Sequence, residues 1–541
     1  MISKSYHDNI RRSFKSIDWN ILIFLLLFLN VKLAVKLAAI VVIFLLQFNF
    51  KFGFRLRNSR LPLFYPIVIG IGILNWLITA GFAKPQYNFT FLTGIGFWLF
   101  SILAIHQVKL SVERHDPSVI HKTINVFFII NAIASLAMLM IIVYKTGTIN
   151  PYLYQGEYQK YFIGTGDYIK GISFDTSTTN SVLNAFGIIY FFTRKKAIMG
   201  LLCMIILLLT GSNITNMILC VVLLFVFIFQ SDRDQKSLIL ICLFLLVIFM
   251  AKVSPQNNQY LVNSYETIFN IPGSKETPAA TLLSIREKPD SILTPEERKQ
   301  KIAVAYLDSL YVLRTEKQKN TVSQAAVISK KPSIPGDDID APAFQYKSII
   351  TTAEENMFQF ISTHPAELPL SSKVNFQPSY PGKLIAWQQT INYLQQHPGK
   401  IITGLGTGNF SSKLAFRTSG INVAGAYPEK YKYINNAFLS NHLDLYLYYF
   451  SKADGLHSII NNPSSAYDQL LGEYGLSGLL AFFIFYTGFF LRSIRKLTYG
   501  IPLILLLSGV FFIDYWFEQL SVVVFFELLL FLNIKESTIR I

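Results

Sequence analysis

Apolar runs of Leu, Ile, Phe and Val, separated by short polar connections, fill the first half of the chain and resume near its end. They lie at roughly 18–31, 33–50, 61–82, 88–110, 120–144, 174–193, 196–210, 212–230 and 236–252, then at 464–491, 499–516 and 518–534. Runs this long need hydrocarbon as solvent, where a helix satisfies its own backbone N–H and C=O groups. The pattern predicts an all-α polytopic membrane protein of about twelve transmembrane helices. The first, second and seventh runs are short against a hydrocarbon layer of about 30 Å, so their bounds are the least defined. Three regions follow: 1–252 with nine spans, 253–463 as a large loop, and 464–541 with three spans.

The stretch 253–463 is too long and too patterned for a mere linker. Thr294-Pro295-Glu296-Glu297 reads as a helix start, with Thr as N-cap and Pro at the first helical position. Ile302, Tyr306, Leu307 and Leu310 then share an apolar face. Charged, Ser- and Pro-rich sequence over 315–345 reads as a loop. A second amphipathic helix is predicted from Lys383 to Gln396, stopped by Pro398 and Gly399. Its Leu384, Trp387, Ile391 and Leu394 recur at helical spacing and are expected to face an apolar surface at the membrane mouth.

Composition supports the membrane reading. The 541 residues are 52% hydrophobic and 15% charged, with 46 Phe, where a soluble protein carries about a quarter charged residues. The net charge of +16 would raise nucleic-acid binding in a soluble chain. Here the basic residues sit mostly at span ends and read as topology signals, so no nucleic-acid partner is expected. Arg11, Arg12, Arg55, Arg57, Arg60, Arg194, Lys195, Lys196, Arg492 and Arg495 mark one set of connections; the opposite set is poorer in charge. By that bias both termini are cytoplasmic and 253–463 is outside. The N-terminal run lacks a small-residue cleavage site and reads as a span rather than a signal peptide. Cys203, Cys220 and Cys242 all fall inside apolar runs, in no disulfide or metal-ligand spacing.

Two segments carry candidate chemistry. The first runs from Lys383 and Trp387 through a helix to Pro398 and Gly404-Leu-Gly406-Thr-Gly408-Asn-Phe410. The second is Ser464-Ser465, nine residues, then Gly475-Leu-Ser-Gly478, at the start of the tenth span. A glycine-rich turn leaves backbone N–H groups free to approach an anion. Alone, the three glycines are as well explained by a plain turn, since no Lys-Ser/Thr ending follows. Together, and with Lys170-Gly171-x-x-Phe174, Asn180 and Ser212-Asn213, these segments resemble the O-antigen ligase and O-antigen polymerase superfamily. The chain departs from the ligase pattern where Ser464 replaces a histidine and where Lys383 and Asn213 replace arginines.

The resemblance implies a bacterial inner-membrane glycosyltransferase. It would act outside the cytoplasmic membrane on undecaprenyl-pyrophosphate-linked glycan, needing neither nucleotide, metal nor other cofactor. Membrane lipids are the other expected contact, and a chain-length regulator and a flippase are partners the resemblance allows. Polymerisation of repeats is the first reading, because the ligase histidine is absent; ligation to lipid A core or another acceptor is the second. A leaving pyrophosphate needs cations and N–H donors, and the acceptor hydroxyl needs a base or an orienting acceptor. Lys383 and Arg417 are the expected catalytic cations, with Glu473 and His457 as further catalytic candidates. Lys170, Lys413, Ser464, Asp468, Gly404, Gly406 and Gly408 are the expected substrate contacts. Lys383 and Arg417 are expected to converge on one outward pocket with the start of the tenth span. Each cation is also readable as a solvated surface charge, and Glu473 and Glu527 as buried helix contacts. A polysaccharide flippase or other transporter is the rival of another class; two related halves, which it would favour, are not seen. A membrane scaffold or sensor, the third reading, would not need these segments together.

Overall fold

A computed structural model describes residues 16–147, 149–153, 168–253, 352–372, 380–421, 427–451, 459 and 461–539. Among the described residues the chain is all-helical, 75% helix with no strand. The expected helix starting at Thr294 and the loop 315–345 lie outside them, as does His457.

Local sequence explains most helix starts. Asp18 caps α1 (Trp19–Phe28), accepting from the Ile21 N–H at 3.2 Å. After α2 (Leu33–Leu46) and α3 (Phe64–Ile78), prolines occupy the first positions of α4 (Pro85–Arg114) and α5 (Pro117–Thr146). Thr176 caps α6 (Ser177–Thr193). Next come α7 (Ala197–Leu209) and α8 (Asn213–Phe229), and an Asp232/Gln235 capping box opens α9 (Arg233–Ile248). The region between the two apolar blocks holds α10 (Thr352–Thr363), α11 (Gly382–Gln396), α12 (Lys413–Thr418) and α13 (His442–Ser451). The chain closes with α14 (Ala466–Ala481), extended through a π-helical turn at Phe482–Thr487, then α15 (Gly500–Val510), α16 (Trp516–Gln519) and α17 (Ser521–Ile539).

Among the described residues, four helical stretches are long and apolar enough to cross a membrane: Pro85–Arg114, Pro117–Thr146, Arg233–Val253 and Ala466–Lys496. Six shorter helices of 10–17 residues are also apolar, α1 and α7 among them. At 1.5 Å per residue the 10 residues of α1 reach only about 15 Å, and α1 packs against α2 as a hairpin.

Burial sorts the helices. In α6 every residue from Ser177 to Phe192 is buried, and in α17 every residue from Ser521 to Asn533. A helix buried all round belongs inside a bundle, and these two lie at its centre. Phe64, Trp98, Phe482, Tyr486, Phe511 and Phe517 interlock beside them, with Phe511 stacked on Phe517 at 5.1 Å. A second apolar cluster joins Met357, Ile361 and Leu368 to Phe416, Phe438, Leu443 and Leu447, and takes in Tyr515 from the last block. The middle region is thereby packed onto the bundle.

Two expectations change. The buried side of α11 is Gly382, Ala386, Thr390 and Leu394; of the expected stripe Leu394 is buried and Trp387 packs partly buried on the core, while Leu384 is 52% exposed. The helix lies against α13 and α14, and small side chains permit that close approach: a Cβ on Gly382 would strike the Asn461 carbonyl. The eleventh and twelfth runs are also not joined by a simple turn. From Phe511 to Leu520 the backbone leaves the helix, α16 is a single turn, and Leu520 has a φ of +67°. Tyr515, Trp516 and Phe517 are nevertheless buried. Irregular backbone is tolerated in such a place only where protein groups satisfy it. Here Trp516 Nε1 donates to the Val510 carbonyl at 2.7 Å, and the Tyr515 N–H to Asp514 Oδ1 at 2.7 Å.

Candidate functional site

The site is organised by a break in α14. Gly475 has φ +68° and ψ −166°, outside the helical region. A break there costs the hydrogen bonds that residues 476 and 477 would make to residues 472 and 473. The segment after α11 replaces all four groups. Leu405 and Gly406 donate to the Gly472 and Glu473 carbonyls at 3.0 and 2.9 Å. Leu476 and Ser477 donate to the Ile401 and Ile402 carbonyls at 2.7 and 3.2 Å. Asn75 of α3 adds bonds from Nδ2 to the Thr403 and Gly404 carbonyls, at 3.0 and 2.8 Å. The broken helix and the glycine turn complete each other, since neither can leave its backbone groups unpaired when buried.

This geometry assigns the glycines a different task from the anion cradle expected for them. The Gly404 N–H donates to the Lys400 carbonyl at 2.8 Å, that of Gly406 to the Glu473 carbonyl, and that of Gly408 to Glu473 Oε2 at 2.9 Å. No N–H of the three is left for a phosphate. The positive φ values of 69°, 97° and 73° and the close neighbours Glu473, Tyr87 and Thr90 explain why glycine stands there. Glu473, expected at the acceptor, is buried and also takes the Phe410 N–H at 3.4 Å; it anchors the turn.

Lys383 meets the start of α14, but its ammonium points into the protein. It donates to the Ser464 carbonyl and to the Ile513 carbonyl, the latter at 2.8 Å. Burial pulls its pKa down to about 7, against the opposing pull of Asp514 and Asp468. Ser464 Oγ donates to Asn462 Oδ1 at 2.6 Å. Asp468, 1% exposed, accepts from Thr390 Oγ1 at 2.6 Å and pairs with His442 Nε2 at 2.7 Å. Its carboxylate binds α11 and α13 to α14 rather than facing a cleft. Lys170 sits at the α5–α6 corner, where the Asn131 and Asn180 amides hold the neighbouring Gly171 turn.

Lys413 and Arg417 occupy one face of α12, a turn apart, and lie within electrostatic range of the Glu518 carboxylate of α16. Glu518 Oε1 accepts from Gln469 Nε2 of α14 at 2.6 Å. Trp98, Thr407, Leu414, Gln469, Tyr474 and Glu518 line a narrow cleft between α4, α12, α14 and α16. Arg417 Nε and Gln469 Oε1 are buried without a hydrogen-bond partner among the described residues. A guanidinium with an unused donor beside a carboxylate and an amide suits an anionic, hydroxyl-bearing ligand. Among the described residues no three His, Cys, Asp or Glu side chains gather as metal ligands would.

Glu518, Gln469 and His442 were not singled out by sequence. A carboxylate inside the apolar stretch 499–534 is costly, and that signal alone marks Glu518 and Asp514 as worth attention. No family model matches the chain, and neither does any curated protein or solved structure. What the chain does is therefore argued from its own geometry and from its motifs.

Proposed function

We propose that this chain is a bacterial membrane glycosyltransferase that polymerises undecaprenyl-pyrophosphate-linked oligosaccharide repeats on the outer side of the cytoplasmic membrane. The product is O-antigen, capsule or another exopolysaccharide. The observation that carries the reading is the joint between the middle region and the bundle. There the Lys413 and Arg417 cations lie within electrostatic range of the Glu518 carboxylate, beside apolar helices that suit a lipid carrier. A polyprenyl pyrophosphate has this duality: an apolar tail and a leaving group whose growing negative charge needs cations. Arg417 offers a fork that grips two phosphate oxygens, and Lys413 a second charge close by. In this reading both termini are cytoplasmic, and the middle region is outside, where lipid-linked repeats are presented.

Deleting the gene and sizing the surface glycans tests the reading. The expected result is loss of long chains with single repeats retained, and the same pattern from Arg417→Ala at normal protein levels. Loss of every glycan-capped core would instead mark a ligase. Unchanged surface glycans after deletion would remove the assignment.

A further inference from the structure

The chain just after α2 interleaves aromatic rings with cations. At 1.5 Å per residue the 14 residues of α2 reach about 21 Å, short of a hydrocarbon layer of about 30 Å. The exposed apolar surface continues past its end through Phe48, Phe50 and Leu56, of which Phe48 is 80% and Leu56 86% exposed. Lys51, Arg55 and Arg57 stand exposed among them. No Asp or Glu occurs between Asp18 and Glu113, and the Glu113 carboxylate is taken by Arg60 at 2.7 Å and Lys109 at 3.8 Å. The backbone of this segment is held in place. His106 Nε2 of α4 donates to the Asn49 carbonyl at 2.8 Å, and its Nδ1 accepts from Arg60 Nη1 at 2.9 Å. Arg60 Nη1 also donates to the Lys51 carbonyl at 2.9 Å, and the Arg60 N–H to the Gly53 carbonyl at 3.0 Å. Phe52 and Phe54 pack inward on the core, Phe52 against the His106 ring at 4.7 Å. With its carbonyls bonded and two rings anchored, the segment presents the other rings and the three cations outward from a fixed backbone, which a loop meant only for water has no reason to do.

We propose that the segment 48–57 is a binding site for an anionic phospholipid, with Phe48, Phe50 and Leu56 against the upper acyl chains and Lys51, Arg55 and Arg57 on the headgroup phosphate. Aromatic rings are favoured at the boundary between hydrocarbon and headgroups. An arginine fork grips two phosphate oxygens, and the lysine adds a point charge. Each Lys or Arg beside an anionic lipid surface is worth about a fivefold preference. A zwitterionic lipid carries the same phosphate but also an ammonium group, which three cations with no free carboxylate nearby repel. The site lies toward the other end of α4 from the cleft, which α4 meets at Gly94 and Trp98, and it needs no glycosyl transfer. In the topology proposed above, its lipid belongs to the cytoplasmic leaflet.

The test uses full-length protein purified in a neutral detergent and titrated with phosphatidylglycerol or with phosphatidylcholine of the same acyl chains, bound lipid being counted by native mass spectrometry. Wild type is expected to bind phosphatidylglycerol at least about tenfold more tightly than phosphatidylcholine, and K51Q/R55Q/R57Q to bring the two lipids within about threefold of each other. F48S/F50S should weaken both lipids together, because the rings serve the acyl chains and not the charge. K84Q/K430Q/K432Q removes the same charge from exposed lysines elsewhere and should keep the wild-type preference. Equal loss of preference in the two triple variants would reduce the effect to net charge and overturn the site, as would a wild type that binds both lipids alike or an F48S/F50S protein that binds them as wild type does. Wild type alone supplies a second readout. The rise in Tm given by phosphatidylglycerol over phosphatidylcholine should vanish between about 0.01 and about 1 M salt, where the screening length falls from about 30 Å to about 3 Å. A rise that salt leaves unchanged would overturn the headgroup contact even if a variant failed to accumulate.

Discussion

Lys383 shows how burial changes the meaning of a charge. As a surface lysine it would be a mobile cation for a phosphate. In the fold it donates to two backbone carbonyls, those of Ser464 just before α14 and of Ile513 just beyond α15. A neutral amine makes the same two bonds, so deprotonation does not undo the clamp. The folded chain holds the pKa near 7, against the ordinary lysine value of 10.5 in the unfolded chain. Between those values the unfolded state carries the extra proton, so stability rises as pH rises through that window. Thermal unfolding of detergent-solubilised protein should therefore show a rising stability from about pH 7 toward 10 that Lys383→Met lacks. Equal slopes for the two proteins would remove the clamp.

At the scale of the element, the break in α14 is the feature that places the site. An unbroken helix would keep residues 472–477 bonded to themselves and leave the turn at 401–406 nothing to bind. The conformation of Gly475 is open essentially to glycine alone, and a Cβ there would press on the Ile402 carbonyl and the Gly404 N–H. Gly475→Ala should cost about 2–4 kcal/mol. It should also speed hydrogen exchange at the Leu405 and Gly406 amides, whose acceptors lie on α14. Unchanged exchange at these two amides would show that the turn is held by something else.

For the whole molecule, the arrangement puts function at a seam. The central helices α6 and α17 are enclosed by protein, whereas α9 and α5 bury less than a third of their apolar windows. A buried face against protein and an open face toward lipid is what a bundle in hydrocarbon requires. The middle region contributes Thr407 of the glycine turn and Leu414 of α12 to the cleft, so it is part of the site rather than an appendage. In the proposed topology, argued from the Lys/Arg bias, that region is outside. In intact spheroplasts a single cysteine introduced at position 320, in a protein freed of Cys203, Cys220 and Cys242, should react with an impermeant maleimide. Cysteines placed at 195 and in the N-terminal tail should react only after lysis. The reverse pattern would invert the topology and put the cleft on the cytoplasmic side.

Where the helices lie was legible in the sequence, because apolar runs, prolines at 85 and 117 and caps at Asp18, Thr176 and Asp232 act over a turn or two. The glycines at 404, 406 and 408 likewise announced a turn, and the start of α14 announced a junction. What each turn and charge meets was not legible, since partners come from far along the chain. Gln469 and Glu518 are 49 residues apart, and Asn75 and Gly404 are 329. Periodicity gave α11 a face through Leu384, Trp387, Ile391 and Leu394, of which Leu394 is buried and Trp387 partly so, and the neighbours α13 and α14 also take up Gly382, Ala386 and Thr390, because small side chains let helices approach closely. The sequence by itself determined a helical, membrane-suited chain and a short list of charged residues. Only the tertiary structure decided that Lys383, Asp468 and Glu473 are committed to holding the fold while Lys413 and Arg417 come within electrostatic range of Glu518. The physical reason is that a buried polar group must find its partner wherever the packing provides one.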